Sequence, residues 1–135
     1  MLAHEVLRAA ADLIEAQGWS QGAPARDRDG VEVPLYQRAA GETSRTSVNP
    51  AAWQFSAYGA IAKVLASRPG ISVNGSMWTE LAAMARQRGS RGHTHPLVGY
   101  NDAEDRTVAE VVALLRDAAD AMDPAKRALE AGRAT

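Results

Sequence analysis

The stretch from Val108 to Met122, VAEVVALLRDAADAM, leaves little choice of conformation. Val108, Val111, Val112, Leu114, Leu115, Ala118, Ala119 and Met122 recur at steps of three and four residues, which gathers them on one face of an α-helix and scatters them otherwise. Just ahead, Thr107-Val108-Ala109-Glu110 fits a capping box: a threonine oxygen accepts the backbone N–H of Glu110 while the Glu110 carboxylate reaches back to the cap. A helix is predicted over about 106–122, with Pro124 to end or kink it. Asp102, Glu104 and Asp105 precede it, where the free N–H groups and the helix dipole favour negative charge, each by about 0.3–1 kcal/mol. A calcium loop is a poor reading of the same acids. Counted from Asp102, the sixth position is Thr107 rather than Gly and the twelfth is Ala113 rather than Glu. Asn101 and Asp102 are not explained by the cap, and are expected to tie the Gly99-Tyr100 segment to the core.

Three further helices are predicted by the same periodicity. Leu2, Val6, Ala9, Ala10, Leu13 and Ile14 place one over about 2–17, stopped by Gly18. Asn49 as N-cap and Pro50 at the first helical position predict a second, central one over about 50–67, presenting Trp53, Ala57, Tyr58, Ile61, Val64 and Leu65 and stopped at Arg68-Pro69-Gly70. Met77, Trp78, Leu81, Ala82 and Ala85 predict a third over about 76–88. Between the first two, the turn signal Arg26-Asp27-Arg28-Asp29-Gly30 separates two short segments, Trp19–Ala25 and Val31–Tyr36. They form a small β-hairpin or an extended arm, short or at an edge because Pro24 and Pro34 cannot donate to a ladder. Segments 37–48 and 88–100 read as loops. The fold class is therefore mainly α, about four helices around one core, with a single domain over 1–123 and a tail, 124–135, able to form a fraying helical turn or two.

A chain of 135 residues supports one core of ordinary size. Its apolar content is dominated by Ala, with only three Trp, three Tyr and one Phe for bulk, so close packing of helices through small side chains is expected. The absence of Cys excludes a disulfide framework and thiolate ligation of zinc, and points to the cytoplasm. No run is long and apolar enough to span a membrane, and the first helix carries Glu5, Asp12 and Glu15 where a signal peptide needs an apolar core. The net charge of −1 conceals two opposed regions. Lys63, Arg68, Arg86, Arg88 and Arg91 stand against Glu80 alone, whereas from Asn101 to Asp123 seven acids stand against Arg106 and Arg116. The two regions are expected to face each other.

Three function classes compete. The Gly-containing stretch 86–91, with Arg86, Arg88 and Arg91 joined by Lys63 and Arg68, could grip phosphates, although nucleic-acid binders usually carry a net positive charge and this chain has a pI near 6.3. His93-x-His95, with Asp102 or Asp105, could share a zinc or manganese ion and support metal-assisted hydrolysis, although a Gly-rich loop fixes no ligand geometry. No Gly-x-Ser-x-Gly elbow, phosphate-binding loop or dinucleotide fingerprint is present, and Ser56 falls inside a predicted helix. No cofactor is expected. Trp19, Trp53 and Trp78 read as core anchors, any exposed one being a candidate contact for a partner.

Three stretches, AADLIEAQGWSQGAPARDRDG, WQFSAYGAIAKV and GYNDAEDRTVAEVVALLRDAAD, together about two fifths of the chain, resemble a small family of unknown function found mainly in actinobacteria and their phages. Members of that family tend to carry Cys where Ser56 stands and Trp where Tyr100 stands, so the resemblance implies no strict catalytic requirement at either position. It does not cover 37–48 or 86–97, implies no activity and assigns no catalytic residue. Thirteen Arg against two Lys suits a GC-rich genome, bacterial or phage. Lacking a complete catalytic constellation, the chain is expected to be a small non-enzymatic accessory protein acting on a protein partner, a host protein if it is phage-encoded, with an Ala-rich face also suited to homo-oligomers.

Overall fold

The computed structural model describes residues 2–68 and 75–134. Among them are six helices: α1 (Ala3–Gln17), α2 (Ala57–Ser67), α3 (Gly75–Gln87), α4 (Pro96–Asn101), α5 (Val108–Met122) and α6 (Pro124–Ala134). Two two-residue strands, β1 (Ala25–Arg26) and β2 (Gln54–Phe55), pair antiparallel. The protein is mainly helical, but with more helices than the four its periodicity predicts.

Helices α1 and α5 form the centre. Val6, Leu7, Ala10, Ala11 and Ile14 of α1 meet Val111, Leu114, Leu115 and Ala118 of α5, all essentially inaccessible to solvent. Ala60, Ile61 and Val64 of α2, Met77 and Leu81 of α3, and Leu97 of α4 close the core around them. Charge fixes the register of the central pair: Arg8 bridges to Asp120 and Asp123, each at 2.9 Å, and Arg116 reaches back to Asp12 and Glu15. Exposed pairs of this kind contribute about 0–1 kcal/mol each, so they align helices that burial already holds together. Phe55, the one phenylalanine, is fully buried, whereas all three tryptophans are only half-buried.

Four expectations need correction. The central helix does not start at Pro50. Asn49 does cap, but it caps a turn: its Oδ1 accepts the Ala51 N–H at 2.9 Å and its carbonyl accepts the Ala52 N–H at 2.9 Å. The next residues are then taken by pairing with the arm, Trp53 N–H donating to the Arg26 carbonyl at 2.8 Å and Phe55 N–H to the Gly18 carbonyl at 3.1 Å. Trp53 consequently leaves the apolar face of α2 and lies under the Arg28 guanidinium, 3.8 Å from the ring centre. Helix α2 starts at Ala57, with Ser56 Oγ accepting the Gly59 N–H at 3.0 Å.

The hairpin is the second correction. Its turn forms, with Asp27 Oδ1 accepting the N–H groups of Asp29 and Val31 at 2.9 Å each, and a single antiparallel bridge joins Arg26 to Glu32. The strand partner of Ala25–Arg26, however, is Gln54–Phe55. Third, the segment read as a loop up to Tyr100 contains α4, started by Pro96 at the first helical position. Fourth, residues 124–134 form a full helix, although an exposed one. The stop predicted at Pro69-Gly70 lies outside the described residues.

Gly59 is fixed by packing rather than by dihedral freedom. A Cβ at that position would lie far inside van der Waals contact with the Pro24 carbonyl oxygen, which also accepts the Ser56 N–H at 3.1 Å. The arm is thereby pressed directly onto the first turn of α2.

Candidate functional site

Where the arm, α2 and α4 converge, one polar side chain is buried to 1% exposure and uses its full hydrogen-bonding capacity. Asn101 Oδ1 accepts from the Trp19 indole N–H at 2.8 Å and from the Ala57 N–H at 3.0 Å. Its Nδ2 donates to the Ser20 carbonyl at 2.9 Å and to Asp102 Oδ1 at 2.8 Å. Two donors and two acceptors exhaust the amide. Asp102, at the C-terminal end of α4, accepts in addition the Gly22 N–H at 3.1 Å. These two residues join the Trp19–Gly22 segment to α4 and to the start of α2.

Beside this junction lies a cleft of about 480 Å³. Gly22, Ala23 and Pro24 of the arm form one wall, Ser56 and Tyr58 of α2 another, and His93, His95, Val98 and Asp102 the rest. The fold thus brings the three suggested metal ligands, His93, His95 and Asp102, to one cavity. Their groups are partly committed. His93 Nδ1 accepts the His95 N–H at 2.9 Å, and Asp102 Oδ1 is taken as described. Among the described residues, no three His, Asp or Glu side chains converge closely enough to hold a metal ion. The His95 ring meets Tyr58 edge-on at 5.3 Å between centroids and Trp78 at 6.2 Å, and its Nδ1 is buried without a partner. Burial, reinforced by the neighbouring His93, lowers the His95 pKa and favours the neutral ring.

A second, larger depression of about 840 Å³ runs between α1 and α5. Its floor is Ile14, Trp19 and Val112, its walls include Ala109, Ala113 and the 41% exposed Val108, and Glu15, Arg116 and Asp117 stand at its rim.

Of the five basic residues suggested for nucleic acid, two are paired with acids. Arg88 pairs with Asp117 of α5 at 2.8 Å, and Arg91 pairs with Asp105 at 2.7 Å. The basic and acidic regions do face each other here. Arg68 caps the C-terminal end of α2, Lys63 is half-buried on that helix, and Arg86 lies in the last turn of α3.

At the start of α5, Thr107 Oγ1 accepts the Glu110 N–H at 3.3 Å, and Glu110 Oε1 accepts the Thr107 N–H at 2.9 Å. The Thr107 backbone and side-chain hydrogen bonds, with Arg106 nearby, lower the Glu110 pKa. Arg106 also lies over the Tyr100 ring at 3.7 Å and donates to the Tyr100 carbonyl at 2.8 Å, which ties α4 to the cap.

Ser56 and Tyr58 are cleft residues that sequence reasoning placed in the core of a longer helix. Their only local signal was the Ser56-x-x-Gly59 spacing, which suits a serine cap. No curated protein and no solved structure matches the chain. A family model does match, over residues 1–121, which takes in α1 to α4 and all but the last residue of α5 while leaving out α6, and the chain belongs to that family of unknown function, DUF6197.

Proposed function

We propose that this protein is a non-enzymatic accessory protein that binds another protein, and that the groove between α1 and α5 receives an amphipathic helix of that partner. One observation carries the reading: an apolar depression lies between the two central helices, walled by the exposed Val108, Ala109 and Ala113 above the buried Ile14 and Val112, with charges of both signs at its rim. Helix-in-groove recognition needs that combination, apolar anchors for a row of side chains and a polar rim to set orientation. Grip on nucleic acid draws less support, because Arg88 and Arg91 are engaged by Asp117 and Asp105. Metal-assisted hydrolysis also draws less, because His93, His95 and Asp102 share a cleft without a three-ligand geometry.

The test is a photo-crosslinking residue at Ala109, inside the groove, with one at Glu130 on α6 as control, in cells that make the full chain. A defined protein captured from position 109, and lost with Val108→Asp, supports the proposal. Capture of a second copy of the chain redirects it to self-association. Equal capture from both positions, or none from 109, overturns it.

A further inference from the structure

The cleft beside Asn101 holds a concentration of polar groups that the fold leaves without partners. Among the described residues, Asp102 makes no ion pair and only its Oδ1 is engaged, so its other oxygen is open. The Tyr58 hydroxyl makes no hydrogen bond, its ring contacts being with Trp78 and His95. His93 uses Nδ1 alone. The neighbours of Asp102 in sequence differ: Asp105, Asp117, Asp120 and Asp123 each have a cationic partner, and Asp102 is the acid without one, among the described residues, that lines a cleft. We infer that this cleft is a binding site for a small organic cation, whose ammonium group pairs with Asp102 and whose apolar part lies against Tyr58, Pro24 and Val98.

Size and charge both favour this class of ligand. The cavity of about 480 Å³ falls within the range of roughly 300–1,000 Å³ common to small-molecule clefts. No Lys or Arg lines it, so Asp102 is the single formal charge on its walls when the imidazoles are neutral, and His95 is held towards neutrality by burial. An anion would ordinarily be drawn to the start of α2, but three of its first four N–H groups are occupied. Asn101 Oδ1 takes that of Ala57, Ser56 Oγ that of Gly59 and the Ser56 carbonyl that of Ala60. A metal ion would make no use of the apolar wall, whereas an organic ammonium pairs with the carboxylate and lays its apolar part against Tyr58 and Pro24. Asp102 is also pre-oriented for the task, because the bonds from Asn101 and Gly22 hold its carboxylate in place before any ligand arrives.

This site does not depend on the α1–α5 groove, and its test is separate. The isotope-labelled full chain is titrated, in two-dimensional NMR, with three probes of one shape: phenethylamine, 2-phenylethanol and 3-phenylpropionate. Phenethylamine is expected to shift the resonances of Tyr58, His93 and His95 saturably and to bind at least tenfold more tightly than the alcohol, with no binding of the carboxylate. Asp102→Asn keeps an acceptor for Asn101 and Gly22, so it folds, and is expected to abolish the preference for the amine. The proposal is overturned if the carboxylate binds as well as the amine, if no probe binds, or if Asp102→Asn leaves the preference intact. Stoichiometric zinc chloride that shifts both histidines and blocks phenethylamine would also overturn it, in favour of a metal site.

Discussion

Replacing Asn101 by Ala tests whether one buried amide holds three segments together. The substitution removes four hydrogen bonds and strands their partners. Two of those, the Ala57 N–H and the Ser20 carbonyl, belong to residues at 0% and 1% exposure, and water cannot reach them without local opening. An unsatisfied buried backbone group costs about 1–3 kcal/mol. The Trp19 indole is half-buried and regains water, and the Asp102 carboxylate is exposed, so neither adds much. The expected loss is therefore about 4 kcal/mol, the middle of the range for two stranded groups. With a urea slope of about 2 kcal/mol/M, the unfolding midpoint falls by about 2 M. Asn101→Asp sharpens the test, because it keeps the acceptor for Trp19 and Ala57 but faces Asp102 with a second carboxylate. It is expected to be at least as damaging at pH 7 and to recover partly in acid, where the protonated carboxyl can donate. Equilibrium urea unfolding of the full chain, monitored by tryptophan fluorescence, measures both. A loss below about 1 kcal/mol for Asn101→Ala, the net worth of one ordinary hydrogen bond, would refute the reasoning.

Gly59→Ala gains about 1 kcal/mol of helix propensity, yet the clash with the Pro24 carbonyl reverses the sign, and thermal denaturation is expected to show a net loss of at least about 2 kcal/mol. Thr107→Ala removes the cap of α5 at about 1 kcal/mol and lets the Glu110 pKa rise towards the ordinary carboxylate value, which a side-chain NMR titration reads directly. His95 has a folded pKa below its ordinary value near 6.5, so the unfolded chain binds the proton more readily. Its neutral form therefore contributes stability that is complete above about pH 6.5 and declines as pH falls from there towards the folded pKa. Urea midpoints of His95→Phe across that window are expected to show a shallower decline than the wild type.

Local signals carried the reading furthest where the chain folds on itself locally. Helix α5 has its cap, its apolar stripe and its stop within one continuous run, and its start at Thr107 is set by side chains three residues apart. Helix α2 shows the limit. Asn49-Pro50 is a true turn-forming pair, but the conformation of the next residues is settled by Gly18 and Arg26, distant in sequence, which take the backbone of Trp53 and Phe55 into a sheet. Helix α4 is six residues long, too short for periodicity to reveal, and only the proline at its first position marks it. Residue types alone singled out His93, His95 and Asp102. Their meeting in one cleft with Ser56 and Tyr58 depends on how α2, α4 and the arm are folded together, which no local pattern encodes.

Because the first helix finds its main apolar partner in the fifth, the chain cannot assemble piecemeal as it is made. Val6, Leu7, Ala10 and Ile14 leave the ribosome well before Leu114 and Leu115, and until those emerge α2 covers the apolar stripe only in part. Joining its two ends also gives this small helical protein long-range contacts that slow folding relative to a bundle of neighbouring helices. A chain ending before Thr107 would leave the α5-facing part of that stripe permanently open and is expected to be a substrate for chaperones and proteases rather than a smaller working domain.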